Sequence, residues 1–309
     1  MNKTTDQVSV SVHQRLLNKA KQTERPFNEL FQYYAMEKFL HRISLSPYAE
    51  EFILKGALLL RATGISEIRP TKDMDFLGPD NSDVIEIKQM LADCCKISVK
   101  DDGLKFDPRS ITEQEIRENQ AYNGVRFKIK GSLGNAIVSI QIDMGFGDVV
   151  SPGPYWIEYP AILDDEEKPK LKAYTLESAI AEKFQAMVDL DLANSRMKDF
   201  YDIWFLSKNR SFDGEALKQA IQQTFHRRKT ELPDEYPTAL TTEFSLNEDK
   251  VNQWNAFVSK LPESSTTSGL NDTIKQIQIF LWPVSQAALN QQLFNRKWNT
   301  EGQWQSSSS

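Results

Sequence analysis

The sequence predicts an α+β fold, with a mixed β-sheet and covering helices in the first half and a mainly helical second half. Two stretches with strict two-residue alternation, Asp73-Met74-Asp75-Phe76 and Val138 to Met144, read as half-buried strands. Helical spacing of apolar residues precedes them between Val8 and Leu40. From Tyr174 onward helical patterns take over, so a domain boundary is expected near Leu171, dividing residues 1–170 from 171–309.

Composition sets the bounds. A length of 309 residues allows one large or two modest domains, and 40% hydrophobic with 26% charged residues fits a soluble globular chain. Apolar runs are too short to span a bilayer, and no apolar segment follows the polar start from Met1 to Gln7, so a cytoplasmic protein is expected. The cysteines Cys94 and Cys95 are adjacent and cannot staple a fold, which also suits a reducing compartment. His13, His41 and His226 are too scattered to suggest a zinc site. A net charge of −6 argues against general coating of nucleic acid, while leaving room for a local basic patch.

Taken in order, Val8–Lys21 is expected as an amphipathic helix, and Pro26 opens a second helix whose stripe of Leu30, Phe31, Tyr34, Phe39 and Leu40 belongs to a core. Phe52 to Gly56 reads as a short strand ending in a glycine turn, Ala57–Ala62 as a helix closed by Thr63-Gly64, and Asp80–Cys95 as a surface helix. Strands are expected around Ile97–Val99 and Val125–Lys130, with Gly131 to Asn135 turning into the strand Ala136–Met144. Pro152–Pro160 suggests a loop with another short strand. Further helices are expected at Leu176 onward with a Thr175 cap, at Arg196–Leu206, Phe212–Lys229, Glu248–Lys260, Asp272–Val284 and Ser285–Trp298. Ser264–Ser268 reads as a flexible loop and Ser306–Ser309 as a disordered end.

The chemistry centres on Asp73 and Asp75. On a strand they project from one face, opposite Met74 and Phe76. Adjacent carboxylates repel unless a cation neutralises them, and hard ions such as Mg²⁺ take carboxylate oxygens while holding phosphates. The competing explanation is an edge strand with a solvated polar face. Asp143 shares a face with Ser139 and Gln141 at the end of its own strand, directly before Gly145-Phe146-Gly147-Asp148. Gly56, between strand and helix, lets a ligand phosphate approach the backbone, although a plain tight turn needs glycine too. Lys183 falls on the apolar face of its helix, and must pair or serve a charged ligand; Asp199 and Asp202 are candidates for the pairing. His226 to Lys229 suits the negative end of a helix dipole.

Leu54-Lys55-Gly56-Ala57 with Arg69-x-Thr71-x-Asp73-Met74-Asp75, then Ile142-Asp143-Met144, Ala181-Glu182-Lys183-Phe184 and Arg196 to Trp204, together resemble a known family. It is that of the AbiEii/AbiGii-type nucleotidyltransferase toxins, abortive-infection proteins with a DNA polymerase β-like fold. The similarity runs from about Leu54 to Lys260 and includes Arg227, Arg228 and Thr230. One departure is Ala57, where the wider superfamily has a second glycine or a serine, so backbone N–H groups and Lys55 would replace a missing hydroxyl.

The resemblance implies Mg²⁺ or Mn²⁺ at Asp73, Asp75 and Asp143, with Lys55, Gly56, Ala57, Thr71 and Lys183 binding an NTP. It implies catalytic roles for these three aspartates, for Lys183, and for Asp199 or Asp202 as the carboxylate of the fourth motif. It further implies transfer to an acceptor hydroxyl, such as a tRNA 3′ end, and an antitoxin partner. Two other readings use the same residues: a small-molecule nucleotidyltransferase of the antibiotic-modifying kind, and a catalytically silent nucleotide-binding partner protein.

Overall fold

A computed structural model describes residues 5–63, 70–79, 83–119, 122–262 and 268–306. Gly64 and Arg69, and most of the stretches Ser264–Ser268 and Ser306–Ser309, lie outside the described residues. The chain divides into two units, Met1–Gly147 with Tyr155–Ala173, and Asp148–Pro154 with Tyr174–Ser309.

The first unit is built on seven strands: β1 (Ile53–Lys55), β2 (Asp73–Leu77), β3 (Leu104–Asn119), β4 (Tyr122–Leu133), β5 (Ala136–Gly145), β6 (Tyr155–Glu158) and β7 (Lys170–Ala173). Their order across the sheet is β3-β4-β5-β2-β1-β7-β6. β2 runs parallel to β5, and β1 parallel to β7, while the remaining neighbours are antiparallel, so the sheet is mixed as expected. Alternation assigns the faces: Val138, Ile140, Ile142 and Met144 of β5 are buried, as are Met74 and Phe76 of β2. Among the described residues, four helices accompany the strands: α1 (Thr5–Thr23), α2 (Phe27–Leu45), α3 (Gly56–Ala62) and α4 (Val84–Lys96).

The aromatic stripe of α2 is core, with Tyr34 and Phe39 fully buried. The same helix also buries charge. Lys38 pairs with Glu37 at 2.6 Å and with Glu166, while Arg42 grips Asp102 at 2.7 Å. Buried charges persist only when paired, and these pairs fasten the segments carrying Asp102 and Glu166 to α2.

Two expectations are corrected here. Ile97–Val99 is not a strand; the chain leaves α4 through an irregular stretch and enters β3 only at Leu104. The hairpin turn is also tighter than expected: only Gly134 and Asn135 form it, with Gly134 at φ +58°, and Gly131 stays in β4, packed on Phe106. A two-residue loop needs positive φ, which glycine supplies.

The second unit holds α5 (Leu176–Leu190), α6 (Met197–Asn209), α7 (Gly214–Arg227), α8 (Thr242–Leu246), α9 (Glu248–Val258) and α10 (Leu270–Leu289). Thr175 caps α5 by accepting the Ser178 N–H at 3.1 Å. A small sheet of β8 (Phe212–Asp213), β9 (Arg296–Trp298) and β10 (Trp304–Ser306) was not anticipated. Phe212 belongs to it instead of opening a helix, and α7 begins after Asp213, whose carboxylate accepts the Ala216 N–H. Nor does the chain break between Val284 and Ser285. α10 runs through Pro283, which removes the bond to the Ile279 carbonyl on an exposed turn where water can replace it. The expected second helix to Trp298 gives way to β9, whose Trp298 indole donates to the Ser207 carbonyl at 2.7 Å. Among the described residues no helix is long and apolar enough to cross a membrane.

Candidate active site

Parallel pairing of β2 with β5 places Asp75 opposite Asp143 and Asp73 opposite Gln141. Residues paired in register point to the same side of a sheet, so Asp73, Asp75 and Asp143 share one face. That face lies opposite the apolar core. Gln141 ties the group together: its amide nitrogen donates to Asp73 at 2.7 Å and lies 3.4 Å from an Asp143 oxygen.

Sequence reasoning missed Arg126. Antiparallel pairing of β4 with β5 sets it directly across from Asp143. Its Nε and Nη2 donate to the two Asp143 oxygens at 2.8 and 2.7 Å, a bidentate fork. These hydrogen bonds, and then the charges of Asp143, Asp73 and Asp75, raise the Arg126 pKa above its ordinary value, although partial burial opposes them. The signal was present in the turn. A two-residue loop at Gly134-Asn135 pairs Leu133 with Ala136, and counting back along both strands brings Arg126 to Asp143.

The glycine turn lies on the same face. β1 is antiparallel to β2, with Lys55 paired to Asp75. Gly56 adopts φ +67°, and a Cβ there would collide with the Asp75 carboxylate. Glycine is therefore required twice, by conformation and by space. The Lys55 ammonium lies 3.4 Å from where a Cβ on Gly145 would stand, so Lys55 reaches across to the end of β5. Ala57 is buried in the first turn of α3. Thr71 shapes the entry to β2: its backbone N–H donates to the Tyr33 hydroxyl at 2.9 Å, and its own hydroxyl accepts the Asp73 N–H at 3.3 Å.

The remaining expected residues lie in the second unit. Lys183 donates to Asp199 at 2.7 Å and pairs with Asp202 at 2.9 Å, and Arg196 adds a contact to Asp199 at 3.1 Å. Both aspartates are buried. Burial alone would raise the Asp199 pKa, but Lys183 first, then Arg196 and Lys198, overcome it and hold the carboxyl at about 2. Arg228 departs from the expected capping role. Its guanidinium takes the Asp148 carboxylate at 3.0 and 3.1 Å, donates to Gln185 at 2.9 Å and lies 3.4 Å from Glu182.

The donor chemistry suits a hard divalent cation. Asp73 and Asp75 offer carboxylate oxygens beside a bare glycine, and Asp143 stands next to them in register. Arg126 meanwhile holds both oxygens of Asp143. Among the described residues no group of three His, Cys, Asp or Glu side chains is already gathered closely enough to hold a metal ion. Asp73 and Asp75 offer the kind of oxygen such an ion takes, whereas both oxygens of Asp143 are occupied by Arg126.

A family model described as "Nucleotidyl transferase AbiEii toxin, Type IV TA system" matches residues 38–289, and the chain belongs to that family. Among solved structures, JHP933 from Helicobacter pylori matches with a TM-score of 0.46 and 11% identity, covering 85% of this chain and 94% of that one. A second H. pylori structure, described as a "putative nucleotidyltransferase", gives a TM-score of 0.46 and 12% identity over 86% of this chain and 98% of its own. A search of curated proteins found no match.

Proposed function

We propose that this chain transfers a nucleotidyl group from an NTP to an acceptor hydroxyl at the Asp73–Asp75–Asp143 face, as the toxin of a toxin–antitoxin pair in the cytoplasm. The observation that carries the proposal is the β2–β5 register, which puts all three carboxylates on one sheet face beside Gly56. The acceptor oxygen bonds to the α-phosphorus, the bond to pyrophosphate breaks, and the hydroxyl proton leaves to a base. Asp143 would accept it once Arg126 releases one of its oxygens. Asp73 and Asp75 would hold Mg²⁺ or Mn²⁺, which supplies positive charge against the triphosphate when bound. Lys55 and the Gly56 turn, with Ala57 and Thr71 behind them, would position phosphate oxygens. Lys183 is proposed to add positive charge toward the triphosphate, oriented by Asp199 and Asp202. The family supports an antitoxin partner, and the tRNA 3′ end is the acceptor we favour.

The test is incubation of the pure protein with each labelled NTP, Mg²⁺ and total RNA, with EDTA in a parallel sample. Label should enter RNA only without EDTA. Label appearing in small molecules alone would move the acceptor to another class, and label in neither would refute transfer.

A further inference from the structure

The face that carries the three aspartates continues outward across β5, β4 and β3, and its charge changes sign. Along β4, Arg126, Lys128 and Lys130 follow one another at two-residue intervals, all on that face, over roughly 14 Å. Lys128 and Lys130 are exposed and form no ion pair among the described residues. Beyond them Lys105 of β3 stands opposite Ser132, on the same side. Two acids of β3 are turned away from this surface. Glu113 and Glu115 pair with Phe127 and Val125, residues of the buried face, and Glu113 is engaged by Lys88 of α4 at 2.7 Å. Uncharged Thr112 and Gln114 instead face Lys128 and Arg126. Asp107 stands opposite Lys130, with a carboxylate oxygen accepting the Arg109 N–H.

In a chain of net charge −6, a solvent-facing cationic row that starts beside the carboxylates is a local reversal. We infer that this face of β4, with Lys128 and Lys130 at its centre, is the track on which the sugar–phosphate backbone of a single nucleic-acid strand lies, its 3′ end directed to Asp143. The inference rests on the proposed nucleotidyl transfer and deepens it by naming the path that the acceptor strand takes. Repeated cations spaced along a strand suit a repeating polyanion better than one small anion. On this face β5 presents no aromatic side chain, and β4 presents none from Gly124 to Ser132, so the contact there reads phosphates and not bases.

Fluorescence anisotropy of a labelled single-stranded RNA in EDTA, without NTP, separates binding from turnover. Lys128→Gln/Lys130→Gln should bind roughly tenfold more weakly near physiological salt, and its log–log salt slope should be shallower by about 1.4, the value for two phosphate contacts on a single strand. Lys168→Gln/Lys170→Gln, a charge-matched control near the other edge of the sheet, should bind like the wild type. Equal affinity of the Lys128/Lys130 variant and wild type, equal loss in the control, no RNA binding by wild type, or equally tight binding of polyglutamate would each overturn the inference. The two proposals fail separately. RNA binding through these lysines with no label transferred refutes only the activity; transfer with RNA binding indifferent to the lysines refutes only the track.

Discussion

Gly56 has little freedom to change. Its φ of +67° costs any other residue about 1–2 kcal/mol, and a new Cβ must displace the Asp75 carboxylate. Gly56→Ala is predicted to lower stability by about 1–3 kcal/mol and to reduce turnover by at least about tenfold, through Asp75. Thermal melting and initial rates on one preparation check both. Lys183 sits between two buried aspartates, so Lys183→Met should destabilise by about 3–5 kcal/mol. Neutralising both partners alongside it, as Asp199→Asn and Asp202→Asn, should restore much of the loss, and turnover in that folded variant then isolates what the ammonium contributes. Normal turnover there would remove Lys183 from the chemistry. Asp199 adds a pH signature. Its folded pKa of about 2 lies below the ordinary 3.8, so its stabilising effect is complete above 3.8 and disappears as pH falls toward 2. The stability difference between wild type and Asp199→Asn in urea should shrink across that window.

At the scale of elements, legibility followed exposure. β2 and β5 alternate strictly because one face is core and the other polar, and Asp73, Asp75 and Asp143 could be read directly from that alternation. β3 could not. It is an edge strand, exposed over much of its length, with Pro108 and a register shift between Asp107 and Thr112, and it offers no clean alternation. β7 to β10 are four residues or shorter, too brief for any period to show. Arg126 stayed hidden because its role depends on register across a hairpin, which only the length of the turn reveals. Arg228 looked like a dipole cap from its place after α7, yet it anchors Asp148, the first residue of the Asp148–Pro154 segment. Arg228→Met should strand the Asp148 and Glu182 carboxylates and cost about 3 kcal/mol, measured by chemical denaturation. An unchanged midpoint would mean that water replaces the guanidinium.

For the whole molecule, the α+β class and the family were legible because four short motifs stand in order along the chain, and the family model spans residues 38–289. The identity of the NTP is not written in these motifs, to which the proposal assigns phosphates and a metal and not a base. The central claim is that the Asp73–Asp75–Asp143 face performs metal-dependent nucleotidyl transfer. The most direct measurement is the single-turnover rate of label incorporation by Asp75→Ala beside wild type in saturating Mg²⁺, both shown folded by thermal melting. The rate should fall by about 10³-fold or more, since the metal-binding carboxylate is asked for several kcal/mol. A folded Asp75→Ala protein that transfers nucleotide at a near-normal rate would contradict the account and place the chemistry elsewhere.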